Sequence, residues 1–410
     1  MNTNAKKAVI IGGGIAGSVA AMFFKRAGIA AEVYEARSAS EHYAGWFLNL
    51  AGNGIEVLKT LGIAAPIITE GSPVPRMIIW NGKGKRLGEV RNGARAGLTE
   101  SVIIRRGALQ QRIHEAAMSQ GVPIHFGKKL CGIEVTGEHG VIATFEDGTK
   151  ASGDFLVGGD GIHSRTRQII NPGAPKSTYT GLVSTGGFTN RPALPPTPET
   201  QHFVFGKQAF FGYHVRSSGE IYWFNNHGRA QEPGRSEVTA IISEDWKARL
   251  LEMHRGDLPL IQEIIRSTES GIGGFPIYDI PPQPIWHKGP VVLVGDAVHA
   301  ISPSSGQGAS LAMEDAAILA KCLRDIAPME QAFATYERLR RARVERMVEW
   351  ARSLGGMKTV TNPIQVWLRD LMLPFFLKRS ANPTALDWVY AYTVDWDTPV
   401  GEEPRQEGKS

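Results

Sequence analysis

Three glycines, Gly12, Gly14 and Gly17, follow the apolar run Ala8-Val9-Ile10-Ile11 in the spacing Gly-x-Gly-x-x-Gly. In a strand-to-helix turn the first glycine permits the tight bend, and the second lets backbone approach a pyrophosphate. The third allows close helix–strand packing, while the amides around Ile15 and Ala16 at the helix start face the phosphates. Glu35 ends the next strand-like run, where a carboxylate can accept hydrogen bonds from an adenosine ribose. Arg37 follows in the same loop. A carboxylate at this position disfavours a ribose 2′-phosphate, so FAD or NAD suits the turn better than NADP. The plain alternative is a glycine turn without a ligand and a solvated acid. It leaves the order strand, helix, strand and acid as coincidence.

A second stretch, Gly295-Asp296-Ala297-Val298-His299-Ala300-Ile301-Ser302-Pro303-Ser304-Ser305-Gly306-Gln307-Gly308, follows the apolar residues 291–294 and runs into a helix pattern. Asp296, at a strand end, can bind a polyol chain such as ribitol. Pro303 fixes the loop, and Gly306, Gln307 and Gly308 open the helix with unobstructed N–H groups. Those donors and the helix dipole suit negative charge on the pyrimidine edge of a reduced flavin. A bare glycine-rich helix start does not explain the crowding of Ser, Pro and Gly. Between the two stretches, Asp160-Gly161 follows another strand and precedes Ser164-Arg165-Thr166-Arg167. It can organise a ribose or a phosphate-bound water, or Asp160 can cap the helix; the segment alone does not choose. Two strand–loop–helix units at opposite ends of the chain, each suited to a different part of one cofactor, point to bound FAD.

These units need elements to bring them together. Residues 7–35 read as strand, turn, helix (about Ala16 to Ala27) and strand (Ala31 to Glu35). Helices are expected at 52–62 and 107–119, and a strand at 77–80. Three short strands are expected from 130 to 157, with hairpin signals at 137–140 and 146–149. From Pro172 to Pro284 helical periodicity mostly disappears and aromatic strands take over, broken by one helix from about Glu244 to Met253. After Gly308 a helix with the buried stripe Ala312, Leu319, Cys322, Leu323 and Ile326 is expected. The fold class is α/β, a Rossmann-like FAD-binding domain (1–70, 101–174 and 286–350) with an inserted β-sheet substrate domain (71–100 and 175–285). A helical C-terminal segment (351–400) and a polar tail of disordered composition (401–410) complete it.

The chain has 410 residues, 42% hydrophobic and 21% charged, ordinary values for a globular enzyme. Cys131 and Cys322 are far apart and lack CxxC spacing, which excludes a zinc ribbon or a disulfide scaffold and suits a reducing cytoplasm. No metal is expected. No run approaches the ~20 apolar residues of a membrane span. The lysines and short apolar run at the N-terminus are broken by glycines and read as a first strand, not a signal peptide. The net charge is +5. Arg338, Arg340, Arg341, Arg343, Arg346 and Arg352, interleaved with Glu337, Glu345 and Glu349, read as a solvated helix face, not as a nucleic-acid surface.

The order GxGxxG…E, GGDGIHSRTR and GDAVHAISPSSGQGASLAMEDA resembles the FAD-dependent aromatic hydroxylases, the single-component class A flavoprotein monooxygenases. That family includes para-hydroxybenzoate and salicylate hydroxylases and the tetracycline-inactivating monooxygenases. The resemblance covers roughly residues 7–350; beyond 350 the chain departs from the short family pattern. It implies that Gly12, Gly14 and Gly17 hold the pyrophosphate and Glu35 the adenosine ribose. Arg106, with Arg105 as the alternative, is implied near the ribityl phosphate. Asp160 and Gly161 would belong to a motif linked to both FAD and NAD(P)H. Asp296 would bind ribitol or pyrophosphate, and Pro303 and Gly306 to Gly308 would flank the isoalloxazine ring. The implied reaction uses NADH or NADPH and O₂. It passes one oxygen atom, through a flavin hydroperoxide, to an apolar, aromatic or polycyclic small molecule. The rivals are an FAD-dependent reductase or dehydrogenase, a halogenase (whose Trp-x-Trp-x-Ile-Pro motif is missing) and a non-catalytic flavin-binding protein.

His299 reads as structural. Alternation sends strand residues to opposite faces, so about half of the aromatic strand residues face the flavin. Tyr213, His214, Phe224 and Asn226 are the pocket candidates. The apolar C-terminal helix with Trp367, Leu371, Leu373, Phe375 and Phe376 is expected to pack as a lid or core, not on a membrane.

Overall fold

The computed structural model describes residues 6–39, 45–93, 98–137, 140–190, 194–234, 237–238, 240–360, 362–379 and 384–401. The polar tail from 402 onward lies outside the described residues. The first apolar run forms β1 (Lys7–Ile11), buried from Ala8 onward. The glycine turn leads into α1 (Ile15–Arg26), and the chain returns as β2 (Ala30–Tyr34), parallel to β1 with Ile10 beside Val33. β3 (Phe155–Gly158) lies on the other side of β1, parallel, with Val9 beside Leu156. The Val291–Leu293 strand lies parallel to β3 in turn. His287–Lys288 and Ile124–His125 complete the six strands at the two edges. Near-continuous apolar sequence in the central strands is what a parallel sheet covered on both faces requires.

The register has a direct consequence for function. The Gly12 turn, the Gly159-Asp160-Gly161 turn and the Gly295-Asp296 turn follow three neighbouring parallel strands, so all three leave the same edge of one sheet. Ligands of open α/β sheets bind at that carboxyl edge.

A second sheet has seven strands, in the order Gly273–Asp279, Thr178–Asn190, Glu220–Gly228, Ala209–Val215, Thr200–Phe205, Arg76–Asn81 and Arg86–Arg91. We label Ala209–Val215 β4 and Glu220–Gly228 β5. They pair antiparallel, Phe210 beside Asn226 and Gly212 beside Phe224. One face carries Phe211, Tyr213 and Trp223, which pack on the Ser243–Met253 and Pro259–Ser267 helices. The other carries Phe210 and Phe224.

Three sequence expectations change. The expected third hairpin strand is two strands: Lys150–Gly153 stays in an antiparallel three-stranded sheet, and Phe155–Gly158 joins the parallel one. The switch occurs at Asp154, whose carboxylate accepts the Lys7 N–H at 2.6 Å. The β-rich region holds a second helix, started by Pro259 and buried through Ile261, Ile264 and Ile265, whose i, i+3, i+4 spacing is the helical signal that the loss of periodicity around it obscured. The helix after Gly308, α2 (Gly308–Asp325), is buried on all sides from Ser310 to Leu323, much wider than a stripe.

The arginine run also reads differently in three dimensions. It lies on α3 (Met329–Gly356), packed against α2. Arg338, Arg346 and Arg352 are exposed, but Arg340 has no exposed surface. Its guanidinium pairs with Glu314 at 2.7 Å and Asp315 at 2.8 Å, both fully buried. Arg343 adds a second cation to Glu314 at 2.9 Å. Burial alone would raise both carboxyls; Arg343 and Arg340 hold Glu314 below its usual range, and His299 and Arg340 hold Asp315 down at about 2.

The C-terminal helix, α4 (Pro363–Arg379), packs Leu373 and Leu377 on the Ile79, Leu87, Phe205 and Phe210 cluster. Trp367, Leu371, Phe375 and Phe376 are exposed instead of forming core. Among the described residues no helix is long and apolar enough to cross a membrane.

Removing one member of a buried ion cluster leaves uncompensated charge. Arg340→Met is therefore expected to cost about 3–5 kcal/mol of stability, read as a lower urea midpoint with an unchanged slope. The depressed Asp315 carboxyl adds a pH window. Its contribution is fully present above the unfolded value of 3.8 and is lost as pH falls toward about 2.

Candidate cofactor and substrate site

At Gly12, φ is +101° and an added Cβ would lie 2.4 Å from the Gly159 carbonyl oxygen. Only glycine lets the first turn pass the second. At Gly17 a Cβ would fall 2.0 Å from the Gly12 oxygen, so glycine there closes helix onto turn. Gly14 is different. Its backbone is ordinary, with φ of −69°, and no atom beyond its chain neighbours lies within 4 Å of a Cβ. The space opens directly before α1, whose first turn has no side-chain cap and no acid. The orphan amides of a helix start and an unfilled cradle fit a pyrophosphate.

Glu35 is buried at the end of β2. Its carboxylate accepts the Gly13 N–H at 2.7 Å and the Arg37 N–H at 2.9 Å. Both bonds shape the glycine turn and occupy two of the roughly four acceptor positions of a carboxylate. The Arg37 side chain is exposed.

The two distant signatures touch. A Cβ on Gly295 would sit 3.1 Å from that of Ala16 and 3.0 Å from that of Ala312. The Gly295 N–H donates to Asp315 at 2.9 Å, and His299 turns inward to pair with the same carboxylate. Asp296 points the other way and is open to the cleft. Loss of solvent raises its pKa and the nearby Asp315 carboxylate adds to the rise, while His299 and Arg106 pull it down. Arg106 thus faces Asp296, at the start of the Arg106–Ser119 helix. Arg105 is engaged elsewhere: it pairs with Glu220, bonds the Tyr222 hydroxyl at 3.2 Å and lies 3.9 Å from the Phe188 ring centre.

Asp160 is held by the following helix. It accepts the Ser164 hydroxyl at 2.5 Å, and the Thr166 N–H and hydroxyl at 2.9 and 3.0 Å. These are capping bonds, and they aim the Asp160-Gly161 turn at the same sheet edge. Pro303 to Ser305 form one 3-10 turn. Gly306 lies against Asn49, and Gln307 accepts from Asn53 at 3.1 Å. The Ser305 and Ser310 hydroxyls and the Gln307 amide nitrogen are buried without a partner among the described residues. Buried polar atoms are normally satisfied.

Of the four pocket candidates, the structure brings Phe224 and Asn226 toward this loop. Asn226 donates to Ser184 at 3.0 Å and accepts from Lys358 Nζ at 3.2 Å. Lys358 also reaches the Ser304 hydroxyl at 3.3 Å and lies 4.6 Å from the Phe210 ring centre. Tyr213 is on the opposite sheet face, stacked on His202 at 4.7 Å. His214 shares the Phe224 face but lies farther along, across from Tyr222, its Nδ1 2.8 Å from the Thr200 carbonyl oxygen. Lys358 has no signal in the sequence, because it follows α3 outside every motif. Among the described residues no cluster of His, Cys, Asp or Glu could hold a metal ion.

Gly14 separates ligand binding from folding. Gly14→Ala should leave apo stability within about 0.5 kcal/mol, as for a surface change, yet lower FAD affinity about tenfold or more by filling the cradle. Gly17→Ala should lower stability itself. Equilibrium dialysis and thermal melts of both variants check the contrast.

The FAD binding domain family matches residues 5–351. Aurachin C monooxygenase/isomerase of Stigmatella aurantiaca is 29% identical over 370 residues, 89% of this chain and 93% of that protein. FAD-dependent urate hydroxylase of Klebsiella pneumoniae is 30% identical over 358 residues, 84% of this chain and 88% of that protein. The crystal structure of Klebsiella pneumoniae HpxO with FAD and uric acid superposes with a TM-score of 0.80 at 26% identity, covering 93% of this chain and 97% of that one. The chain belongs to the FAD binding domain family, among its FAD-dependent monooxygenases.

Proposed function

We propose that this enzyme hydroxylates an aromatic, apolar-bodied small molecule, using NADH or NADPH as electron donor and placing one atom of O₂ in the product. The observation that carries the reading is the contact of Gly295 with Ala16. It joins the two signatures at one place, and Lys358, bonded to both Ser304 and Asn226, supports reading the 302–308 loop as lying opposite the Phe210 and Phe224 face. Bound FAD supplies the redox and oxygen-transfer chemistry. The protein supplies binding, orientation and exclusion of water.

The α1 amides behind Gly14 would hold the pyrophosphate, with Gly12 and Gly17 fixing the turn. Glu35 would take the adenosine ribose, beside Arg37. Asp296, open to the cleft, would accept from ribitol hydroxyls, with Arg106 facing it across the cleft. The amides of Gln307 and Gly308 at the α2 N-terminus would face developing negative charge on the ring's pyrimidine edge, while Gly306, its own N–H held by the Pro303 carbonyl, would let the ring approach the loop closely. Asp160 and Gly161 would line the same edge, and Pro303 would fix the loop's entry. Phe210, Phe224 and Asn226 would line the substrate side, where apolar walls keep water from the reacting atoms. On this reading residues 1–70, 101–174 and 286–350 would hold the cofactor, while 71–100 and 175–285 would face substrate. The two cysteines, neither in a disulfide, support a cytoplasmic setting.

Purified protein should be yellow. NAD(P)H oxidation with a panel of phenols, heteroaromatics and polycyclic compounds under labelled O₂ should give a product carrying one labelled atom. Reduced cofactor consumed with no label in any product would favour a reductase. Asp296→Ala should weaken FAD about ten- to a hundredfold, as expected for a hydrogen bond to a charged group; unchanged flavin occupancy would remove Asp296 from the site.

A further inference from the structure

We infer that Lys358 is the anion-binding residue of the substrate pocket, held between Asn226 and Ser304 and taking an anionic oxygen carried by the aromatic substrate. This rests on the functional reading above and narrows its substrate class to aromatic rings bearing an acidic oxygen, a carboxylate or phenolate.

Four observations carry it. The contacts of Lys358 Nζ are neutral: the Asn226 side-chain oxygen, the Ser304 hydroxyl, and the Phe210 and Phe224 rings at 4.6 and 5.8 Å. Among the described residues no carboxylate pairs with it. By contrast Arg340, Arg343 and Arg352 on α3 each face one, Arg352 meeting Asp279 at 2.7 Å. Two hydrogen bonds leave one of three ammonium donors for a ligand. The position is also specific, since Ser304 belongs to the loop assigned to the flavin and Asn226 to the substrate sheet.

Lys358 is half-buried, and a partly desolvated cation without a counter-ion invites either an anion or loss of its proton. The aromatic faces favour the charged form. Loss of solvent lowers the Lys358 ammonium to about 7, with no ionised neighbour contributing. The titratable groups on the packed elements face elsewhere: His227 of β5 lies by Trp246, and Arg352 of α3 pairs with Asp279. The residues presented to Lys358 by β4, β5 and the 303–305 turn are Phe210, Phe224, Asn226 and Ser304.

The test uses the FAD-loaded enzyme and matched probes, benzoate against benzamide and 2-naphthoate against 2-naphthamide, followed by perturbation of flavin absorbance. The acid is expected to bind about tenfold or more tighter than its amide. Lys358→Met should abolish that preference while FAD occupancy stays full, and Lys358→Arg should keep it. Benzoate stays ionised throughout, so its affinity for the native enzyme should fall as pH rises above about 7, and the arginine variant should lose that limb. Equal binding of acid and amide, binding of neither, or an unchanged preference in Lys358→Met overturns the inference. So does a methionine variant that loses only FAD or NADPH affinity. Selective acid binding without labelled oxygen in any product would sink the monooxygenase reading and leave the anion site standing.

Discussion

The structure turns on a cluster of buried charge beneath the 302–308 loop. Glu314 and Asp315 are adjacent on α2 and have no exposed surface. Each lies in protein, where an unpaired carboxylate costs several kcal/mol. Arg340 and Arg343 on α3 neutralise them, so the two helices can pack only in the register that aligns these four side chains. From this cluster three contacts run toward the cofactor cradle. Asp315 accepts the Gly295 N–H and pairs with His299, and Glu314 accepts from Asn53 at 2.6 Å. Asn53 in turn donates to Gln307. Both ends of the loop are therefore tied to one ion cluster.

That arrangement explains how a loop rich in glycine and serine can present a defined surface. Its backbone has little side-chain packing of its own to hold it. Within the loop the Gly306 N–H is spent on the Pro303 carbonyl at 3.1 Å, so the ligand-facing donors are the Gln307 and Gly308 amides at the start of α2. On the far side, the even-numbered residues of β4 and β5 supply Phe210, Phe224 and Asn226. Lys358 bridges sheet and loop. Cofactor cradle and substrate wall thus meet at a few contacts, where small changes in loop position would alter both.

Much of this was readable from sequence. The glycine spacing, the acid after β2 and the crowded loop each encode local geometry, and local geometry survives into the fold. Arg106 was preferred to Arg105 on the resemblance alone; what the structure adds is that Arg105 is engaged with Glu220 and Tyr222 while Arg106 faces Asp296. The pocket candidates mixed odd and even positions. Both faces of the β4–β5 pair are apolar, and Tyr213 and Phe224 lie on different strands, so only the register, Gly212 beside Phe224, shows that they leave opposite faces. Arg340 looked solvated because a charge run gives no sign of which members turn inward. The i, i+3 spacing of Arg340 and Arg343 opposite Glu314-Asp315 was the available clue. Lys358 lay beyond every motif and became visible only through its neighbours.

The most direct test cuts the tie between cluster and loop without stranding a charge. Asn53→Ala removes the bridge from Gln307 to Glu314 and leaves both arginine–carboxylate pairs in place. FAD dissociation should be measured on a variant shown to be folded by circular dichroism. Loss of a buried hydrogen bond of this kind costs about 1–3 kcal/mol, so FAD affinity is expected to fall about tenfold. Full native affinity in a folded Asn53→Ala protein would contradict the claim that the buried cluster sets the cofactor loop.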